Sequence, residues 1–127
     1  MRTNVTSFNR ILYFPVFFAL TLLFSAKVYA QAPSITDDPA DVAVCAAGNA
    51  VFTITAKDAN TYQWEESTNG GSTWTAITNG GVYSGATTTS VTLTAVTTGM
   101  NNYQYRCVAT GSTTPNATSK AAKLIVN

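Results

Sequence analysis

The chain has 127 residues, enough for one domain. Residues 31–127 carry four basic and six acidic groups, so their net charge is 4 − 6 = −2. We therefore expect no nucleic-acid partner, because binding to phosphates requires clustered Lys and Arg. The sequence contains no His, the commonest general base and zinc ligand. We expect no enzymatic activity, no metal and no cofactor.

Residues 1–30 are typical of a secretory signal peptide. Arg2 and Arg10 precede the apolar run 11–24 (ILYFPVFFALTLLF). Residues 25–30 (SAKVYA) follow and place small side chains before a signal-peptidase cleavage site after Ala30. The alternative is a membrane anchor, but a spanning helix needs about 20 apolar residues. No Cys follows the cut, so a lipid anchor is not expected. We predict a signal peptide over 1–30, one secreted or cell-surface domain over 31–127, and no membrane span after cleavage.

The rest of the chain has the pattern of an all-β domain. Thr and Val favour strands, and the segments 69–71 and 79–81, both Asn-Gly-Gly, are tight-turn signals. About seven short strands are predicted, at 41–45, 50–56, 61–67, 73–77, 91–96, 103–109 and 121–126. Turns that recur every 8 to 12 residues indicate an antiparallel β-sandwich, with the last strand at an edge.

Cys45 and Cys107 are the two cysteines of the chain, and both lie in the part predicted to be exported. In an oxidising compartment they are expected to form a disulfide. Closing a loop of about 60 residues would stabilise the fold by roughly 4 kcal/mol. The alternative is two buried free thiols.

Four residues that follow the first predicted strands form a pattern known from one protein family. Trp64, Leu93, and Tyr105 two residues before Cys107 form a pattern that resembles the immunoglobulin-like (Ig-like) fold. The resemblance implies that Trp64 and Leu93 are buried in the core. It also implies that Tyr105 forms a tyrosine corner, with its hydroxyl bonded to the backbone of the turn at 97–102.

One departure from the antibody pattern concerns the first cysteine. Ile54 stands where antibody-type domains place that Cys, and Cys45 lies before the preceding turn. A Cys45–Cys107 bridge would therefore tie the first strand to the strand of Cys107. An apolar contact between Ile54 and Trp64 would take the usual place of the disulfide.

The patterns at 62–64 (YQW), 71–74 (GSTW), 83–85 (YSG) and 105–107 (YRC) are similar to bacterial Ig-like modules of secreted and surface-displayed proteins. This resemblance implies a non-enzymatic module for adhesion, recognition or structural spacing, with a protein or glycan partner. The expected contact regions are the outer face of the sheet that carries Trp64, or the loops 57–60, 79–89 and 111–116, since loops on a rigid sandwich often bind. The fold alone does not fix a function.

Two other functions remain open at this stage. A carbohydrate-binding module would use Trp74 and Tyr83 as exposed rings, and a secreted enzyme fragment or inhibitor would need a pocket with convergent polar groups. The segment 67–74 (STNGGSTW) resembles the Asp box of sialidases, with Asn69 in place of Asp. We interpret it as a hairpin turn device.

The acidic residues have structural interpretations as well. Glu65 and Glu66 are neighbours on one predicted strand, so they point to opposite sides and are not an acid/base pair. Glu65 is expected to form a surface pair with Arg106, worth about 0–1 kcal/mol. The group Asp37, Asp38 and Asp41 is expected to be a solvated turn, with a Ca²⁺ site as the alternative.

Overall fold

The computed structural model of the chain describes residues 26–127. The predicted signal peptide therefore lies, up to residue 25, outside the described residues. The strands are β1 (Ser34–Asp37), β2 (Val42–Val44), β3 (Ala50–Thr53), β4 (Thr55–Lys57), β5 (Thr61–Ser67), β6 (Thr75–Ala76), β7 (Tyr83–Ser84), β8 (Ser90–Leu93), β9 (Gln104–Thr110), β10 (Ala117–Thr118) and β11 (Ala122–Val126). A 3-10 turn at Thr98–Met100 precedes β9. Within residues 26–127 no helix has the length and apolarity to cross a membrane.

The strands form two layers. The front sheet has the order β2-β11-β9-β5-β6, and β10 also pairs with β9. The back sheet contains β3-β8-β7 together with the pair β1-β4, because β3 and β4 are one run interrupted only at Ile54. The all-β sandwich predicted from the sequence is confirmed in its layers.

The prediction that the sandwich is purely antiparallel is wrong at one edge. Strand β2 runs parallel to β11, with Val42 beside Leu124 and Val44 beside Val126. The cause lies between β1 and β2, where buried Pro39 has no N–H for a sheet ladder. The chain leaves the back sheet there and joins the front sheet, where it follows the last strand in the same direction.

The predicted position of the last strand at an edge is also wrong. Strand β11 lies between β2 and β9, pairing with β9 through Ala122 opposite Tyr105. The alternating burial of β11 fits this position, since Ala122, Leu124 and Val126 face the core and Lys123 faces solvent. The last strand is thus a central element that holds the first segment of the front sheet.

The core lies between the two sheets and contains the residues predicted for it. Trp64, Leu93 and Tyr105 are each 0% exposed, and Ile54 is 2% exposed. The Phe52 and Tyr105 rings join the two sheets, with centroids 4.8 Å apart. The buried Trp64 indole is also satisfied, because its N–H donates to the Thr88 carbonyl across 2.9 Å. Burial of each large side chain contributes about 1.5–3 kcal/mol.

The predicted disulfide is wrong: Cys45 and Cys107 are free thiols. Cys107 is buried beside Ser119, whose hydroxyl accepts its backbone N–H across 2.9 Å. Cys45 is exposed at the opposite end of β11, where the residues on either side of it bond to Asn127. About seven extended residues separate these two ends, roughly 20 Å. A disulfide requires Cα atoms within about 7 Å.

Several strand limits also differ from the predictions. The strand expected at 73–77 is reduced to β6, because Asn69 holds Thr73 in the preceding turn. The loop expected at 79–89 contains β7 and the fully buried Ala86. Strand β10 lies outside the seven predicted strands, and it pairs with β9.

Candidate functional site

Three side chains form a cluster on the outer face of the front sheet. Glu65 on β5 lies opposite Arg106 on β9, and the Arg106 Nε donates to a Glu65 carboxylate oxygen across 2.7 Å. The Arg106 guanidinium carbon lies 4.2 Å from the centroid of the Trp74 ring, a cation–π arrangement. The predicted Glu65–Arg106 pair is confirmed, and Trp74 is its third member. We call these residues the front-face cluster.

The hairpin before β6 places Trp74 at this cluster. The Asn69 side-chain oxygen accepts the Thr73 N–H across 2.9 Å, and its amide nitrogen donates to the Thr73 hydroxyl across 2.7 Å. Gly70 and Gly71 adopt φ angles of 72° and 89°, which favour glycine. The Ser67 hydroxyl donates to the Asn69 side chain and accepts the Gly71 N–H. The segment is thus a closed turn, as interpreted from the sequence.

A second cluster lies between the two sheets. Glu66 faces inward on β5, and its carboxylate accepts hydrogen bonds from the hydroxyls of Tyr83 and Tyr105. Burial raises the pKa of both tyrosines, and the hydrogen bond to Glu66 raises the pKa of Tyr83 further. Tyr83 comes from the back sheet, so this carboxylate joins the two layers. We call these residues the inter-sheet cluster.

The inter-sheet cluster corrects two expectations from the sequence. The Tyr105 hydroxyl binds Glu66, with Tyr83 at 3.4 Å, instead of the backbone of the turn at 97–102. The tyrosine corner is therefore absent at Tyr105, although the residue is in the predicted core position. Glu66 was missed as a functional residue, but the alternation that turns Trp64 inward also turns Glu66 inward.

The two rings suggested for carbohydrate binding do not form one platform. Trp74 belongs to the front-face cluster on the outside of the front sheet, and its ring is covered by Arg106. Tyr83 is half-buried on the inner side, where its hydroxyl bonds to Glu66. The front sheet lies between them, so a flat sugar cannot contact both rings.

Two acidic residues near the start of the domain, Asp38 and Asp41, accept hydrogen bonds from backbone N–H groups. One Asp38 oxygen accepts the Lys120 N–H at 2.9 Å and the other lies 3.2 Å from the Lys120 Nζ. Asp41 accepts the Lys123 N–H at 2.7 Å. The hydrogen bond from the Lys120 backbone lowers the pKa of Asp38. These carboxylates fix the crossover between β1 and β2 to the last strand.

The loops 57–60 and 111–116 lie together at one end of the sandwich. The Asn60 side chain donates to the Ser112 hydroxyl across 2.9 Å, and the Asn60 N–H bonds to the Thr110 carbonyl. Gly111 packs closely there, since a Cβ atom at this position would clash with the Asp58 carbonyl oxygen. These two predicted contact loops are therefore one ordered surface.

Of the two thiols, Cys45 is exposed and Cys107 is buried. Burial raises the pKa of the Cys107 thiol to about 11, so it is protonated at neutral pH. Across residues 26–127 there is no pocket and no group of three His, Cys, Asp or Glu side chains placed to hold a metal ion. The side chains that distinguish the outer surface of the front sheet are thus those of the front-face cluster.

Solved structures with a similar fold are Ig domains. A chimeric titin Z1Z2 carrying an exogenous decorin peptide is 24% identical, with a TM-score of 0.60 over 78% of this chain and 97% of that one. The Ig1-2 module of the Drosophila receptor tyrosine phosphatase DLAR is 19% identical (TM-score 0.58), over 76% of this chain. Titin z1z2 in complex with telethonin is 24% identical (TM-score 0.58), over 78% of this chain.

The chain spans 50% of the DLAR module and 49% of the titin chain solved with telethonin. At these identities the likeness shows the fold, which confirms the Ig-like sandwich expected from the sequence.

No curated protein matches the chain. A family match covers residues 36–127, from the middle of β1 to the last residue, and by this match the chain belongs to the family described as "Domain of unknown function (DUF8696)".

Proposed function

We propose that the chain is exported and that its Ig-like domain is a non-enzymatic module for adhesion, recognition or spacing at the bacterial cell surface. The observation that carries the proposal is the outer face of the front sheet. It is a rigid sheet surface that presents an aromatic ring and an arginine held in place by a glutamate. Trp and Arg are enriched at the centres of protein–protein interfaces.

The use of the other polar groups supports a binding module over an enzyme. Glu66 joins the two sheets, and Asp38 and Asp41 hold the last strand. Asn69 closes the hairpin before Trp74. Each of these groups already has a partner within the domain, whereas an active site needs acid, base or nucleophile groups that converge on a substrate.

Structural neighbours support a protein partner in preference to a glycan. Titin z1z2, which has a similar fold, was solved in complex with the protein telethonin. The separation of Trp74 from Tyr83 removes the aromatic platform on which a glycan-binding function depended. A protein that contacts the front face is therefore our proposed class of partner.

The experiment that tests the proposal expresses the full chain, with a C-terminal tag, in a bacterium that secretes proteins. We expect the product to start at Gln31 and to be found in the periplasm, envelope or medium. The matched control is Leu20→Arg, which interrupts the apolar run and should leave an uncleaved product in the cytoplasm. Wild-type protein that keeps its leader and stays in the cytoplasm would overturn the proposal.

A further inference from the structure

We propose that Arg106 is a preorganised carboxylate-binding residue, and that the front face binds an extended acidic segment of a protein partner. This inference rests on the proposed function, since it names the partner chemistry of the same surface. The anchor is the Arg106 guanidinium, the contact area is the front-face cluster, and a second positive charge comes from Lys123 on β11.

The geometry of Arg106 leaves its binding groups available. The Nε atom bonds to Glu65 at 2.7 Å, and Trp74 covers one face of the guanidinium at 4.2 Å. Within residues 26–127 no hydrogen bond uses the two terminal nitrogens of Arg106, and the side chain is 29% exposed. Terminal guanidinium nitrogens form paired hydrogen bonds with a carboxylate.

The fixed position of Arg106 favours binding. A free arginine side chain loses rotamer entropy when it is held in one geometry. Here the bond to Glu65 and the contact with Trp74 already hold it. A ligand therefore meets an ordered fork of donors, and less of its binding energy is lost to ordering.

The two basic side chains on this face favour an acidic partner. Among the strand residues of the front sheet that face outward, Arg106 and Lys123 are basic and Glu65 is acidic. Residues 31–127 as a whole have the opposite excess, with four basic and six acidic groups. The Asp41 carboxylate lies at the edge of this face, where it accepts the Lys123 N–H, so the face is close to neutral in an acidic domain. Its two basic side chains are the groups that can bind a ligand with more than one carboxylate.

The spacing of the two basic residues suits an extended peptide. Lys123 pairs with Gln104, which lies two residues before Arg106 on β9. The two positions are therefore offset along the strands by two residues, about 7 Å. Side chains at positions i and i+2 of an extended peptide are separated by the same distance and point to the same side. Alternate acidic residues match this pattern.

The arrangement of Trp74 favours a peptide over an acidic sugar. The guanidinium of Arg106 covers one face of the ring. A Cβ atom added at Gly71 would lie 3.7 Å from a ring atom, so the hairpin backbone is close as well. A sugar that stacks on the ring would have to displace Arg106 and lose the donor that binds its carboxylate.

The test uses the exported product, labelled with ¹⁵N, and two synthetic decapeptides of alternating Glu-Thr and Gln-Thr. The Glu peptide, added up to about 5 mM, should shift the NMR signals of the Arg106 Nε–H and the Trp74 indole with a Kd near or below 1 mM. The Gln peptide should not shift them. Equal shifts with both peptides, or none with either, would overturn the inference.

Variants separate two contributions to binding, the paired donors of the Arg106 guanidinium and the positive charge of the face. Arg106→Lys keeps the charge but loses the paired donors, so we expect a loss of affinity of about tenfold. Lys123→Gln does not touch the front-face cluster and should weaken binding by about two- to fivefold, which keeps the test valid if Arg106→Lys unfolds. The control is Lys57→Gln on the back sheet, which should bind as wild type. Binding that is unchanged in both front-face variants would contradict the inference.

A third ligand distinguishes the chemical source of the carboxylate. Polygalacturonate offers carboxylates on sugars, and if it shifts the same signals while the Glu peptide does not, the peptide assignment is wrong. Failure of export is a separate result. An unexported protein that still binds the Glu peptide would refute the proposed function and leave the carboxylate site standing.

Discussion

Glu66 and Tyr105 lie directly opposite each other on β5 and β9, and the Tyr105 hydroxyl donates a hydrogen bond to the Glu66 carboxylate across 3.1 Å. The Tyr83 hydroxyl reaches the same carboxylate from the back sheet. An inward-facing glutamate thus joins the two sheets through polar contacts at this position. Because the tyrosine hydroxyls are removed from bulk water, the stability of the domain depends on this acceptor.

The first prediction concerns that acceptor. Glu66→Ala leaves the two tyrosine hydroxyls without their partner, and we expect a loss of about 1–3 kcal/mol in the free energy of unfolding. The adjacent Glu65→Gln is the matched control, because it alters a surface pair worth about 0–1 kcal/mol. Urea denaturation of both variants measures the difference. Equal losses would mean that the inter-sheet cluster does not stabilise the fold.

A second prediction follows from the raised pKa values of Tyr83 and Tyr105. Above their ordinary value of 10.0, the unfolded chain releases protons that the folded domain keeps. The contribution of these tyrosines to the free energy of unfolding is therefore fully present below pH 10.0, and the free energy of unfolding should fall as the pH rises further. Urea denaturation across this range should show a shallower fall for Tyr83→Phe, which has one fewer of these groups. The same slope in both proteins would contradict the assignment.

The third prediction concerns the free thiols. A thiol reagent should modify exposed Cys45 in the native protein and buried Cys107 only after unfolding. Cys45→Ala should change stability by less than about 0.5 kcal/mol, whereas Cys107→Ala creates a core cavity and should cost about 1–2 kcal/mol. Reductant should leave the unfolding curve of the wild type unchanged. A stability loss on reduction would show a disulfide that the structure lacks.

The fourth prediction concerns the crossover between the sheets. The pKa of Asp38 is lowered by the Lys120 N–H, so its stabilising contribution is present above the ordinary value of 3.8 and is lost as the pH falls through the lowered pKa. Asp38→Asn should make stability less dependent on pH in the acid range. Denaturant unfolding at neutral and acid pH measures this, with Asp37→Asn as the control. An identical pH dependence in wild type and Asp38→Asn would refute this role.

The fifth prediction concerns the hairpin that carries Trp74. Asn69→Ala removes the acceptor of the Thr73 N–H and should cost about 1–2 kcal/mol. Because the hairpin positions the indole over Arg106, the fluorescence of Trp74 should also change. The control Thr68→Ala alters an exposed neighbour and should leave both unchanged. Unaltered fluorescence in Asn69→Ala would mean that Trp74 is positioned by Arg106 alone.

The sequence alone was sufficient for the layers of the fold and for much of its core. Alternation along the strands is a local signal, and the outward Glu65–Arg106 pair followed from it. The burial of Trp64 and Leu93 followed from the resemblance to Ig-like domains. The pairing of β2 with β11 was missed because Val42 and Leu124 are distant in sequence and no local pattern joins them. Parallel pairing also has no turn signal.

The errors at the site have similar physical reasons. The disulfide was inferred from the number and compartment of the cysteines, which do not reveal that Cys45 and Cys107 lie at opposite ends of β11. Tyr83 was taken as exposed because its strand has only two residues and shows no alternation. The contact of Arg106 with Trp74 depends on a hairpin geometry that sequence spacing does not specify.

Export can be tested directly by determining the N-terminal sequence of the native product and its location in the cell. We predict a chain that begins at Gln31 and is recovered outside the cytoplasm. A product that begins at Met1 and remains in the cytoplasm would contradict export, and with it the role of this Ig-like domain as a surface module.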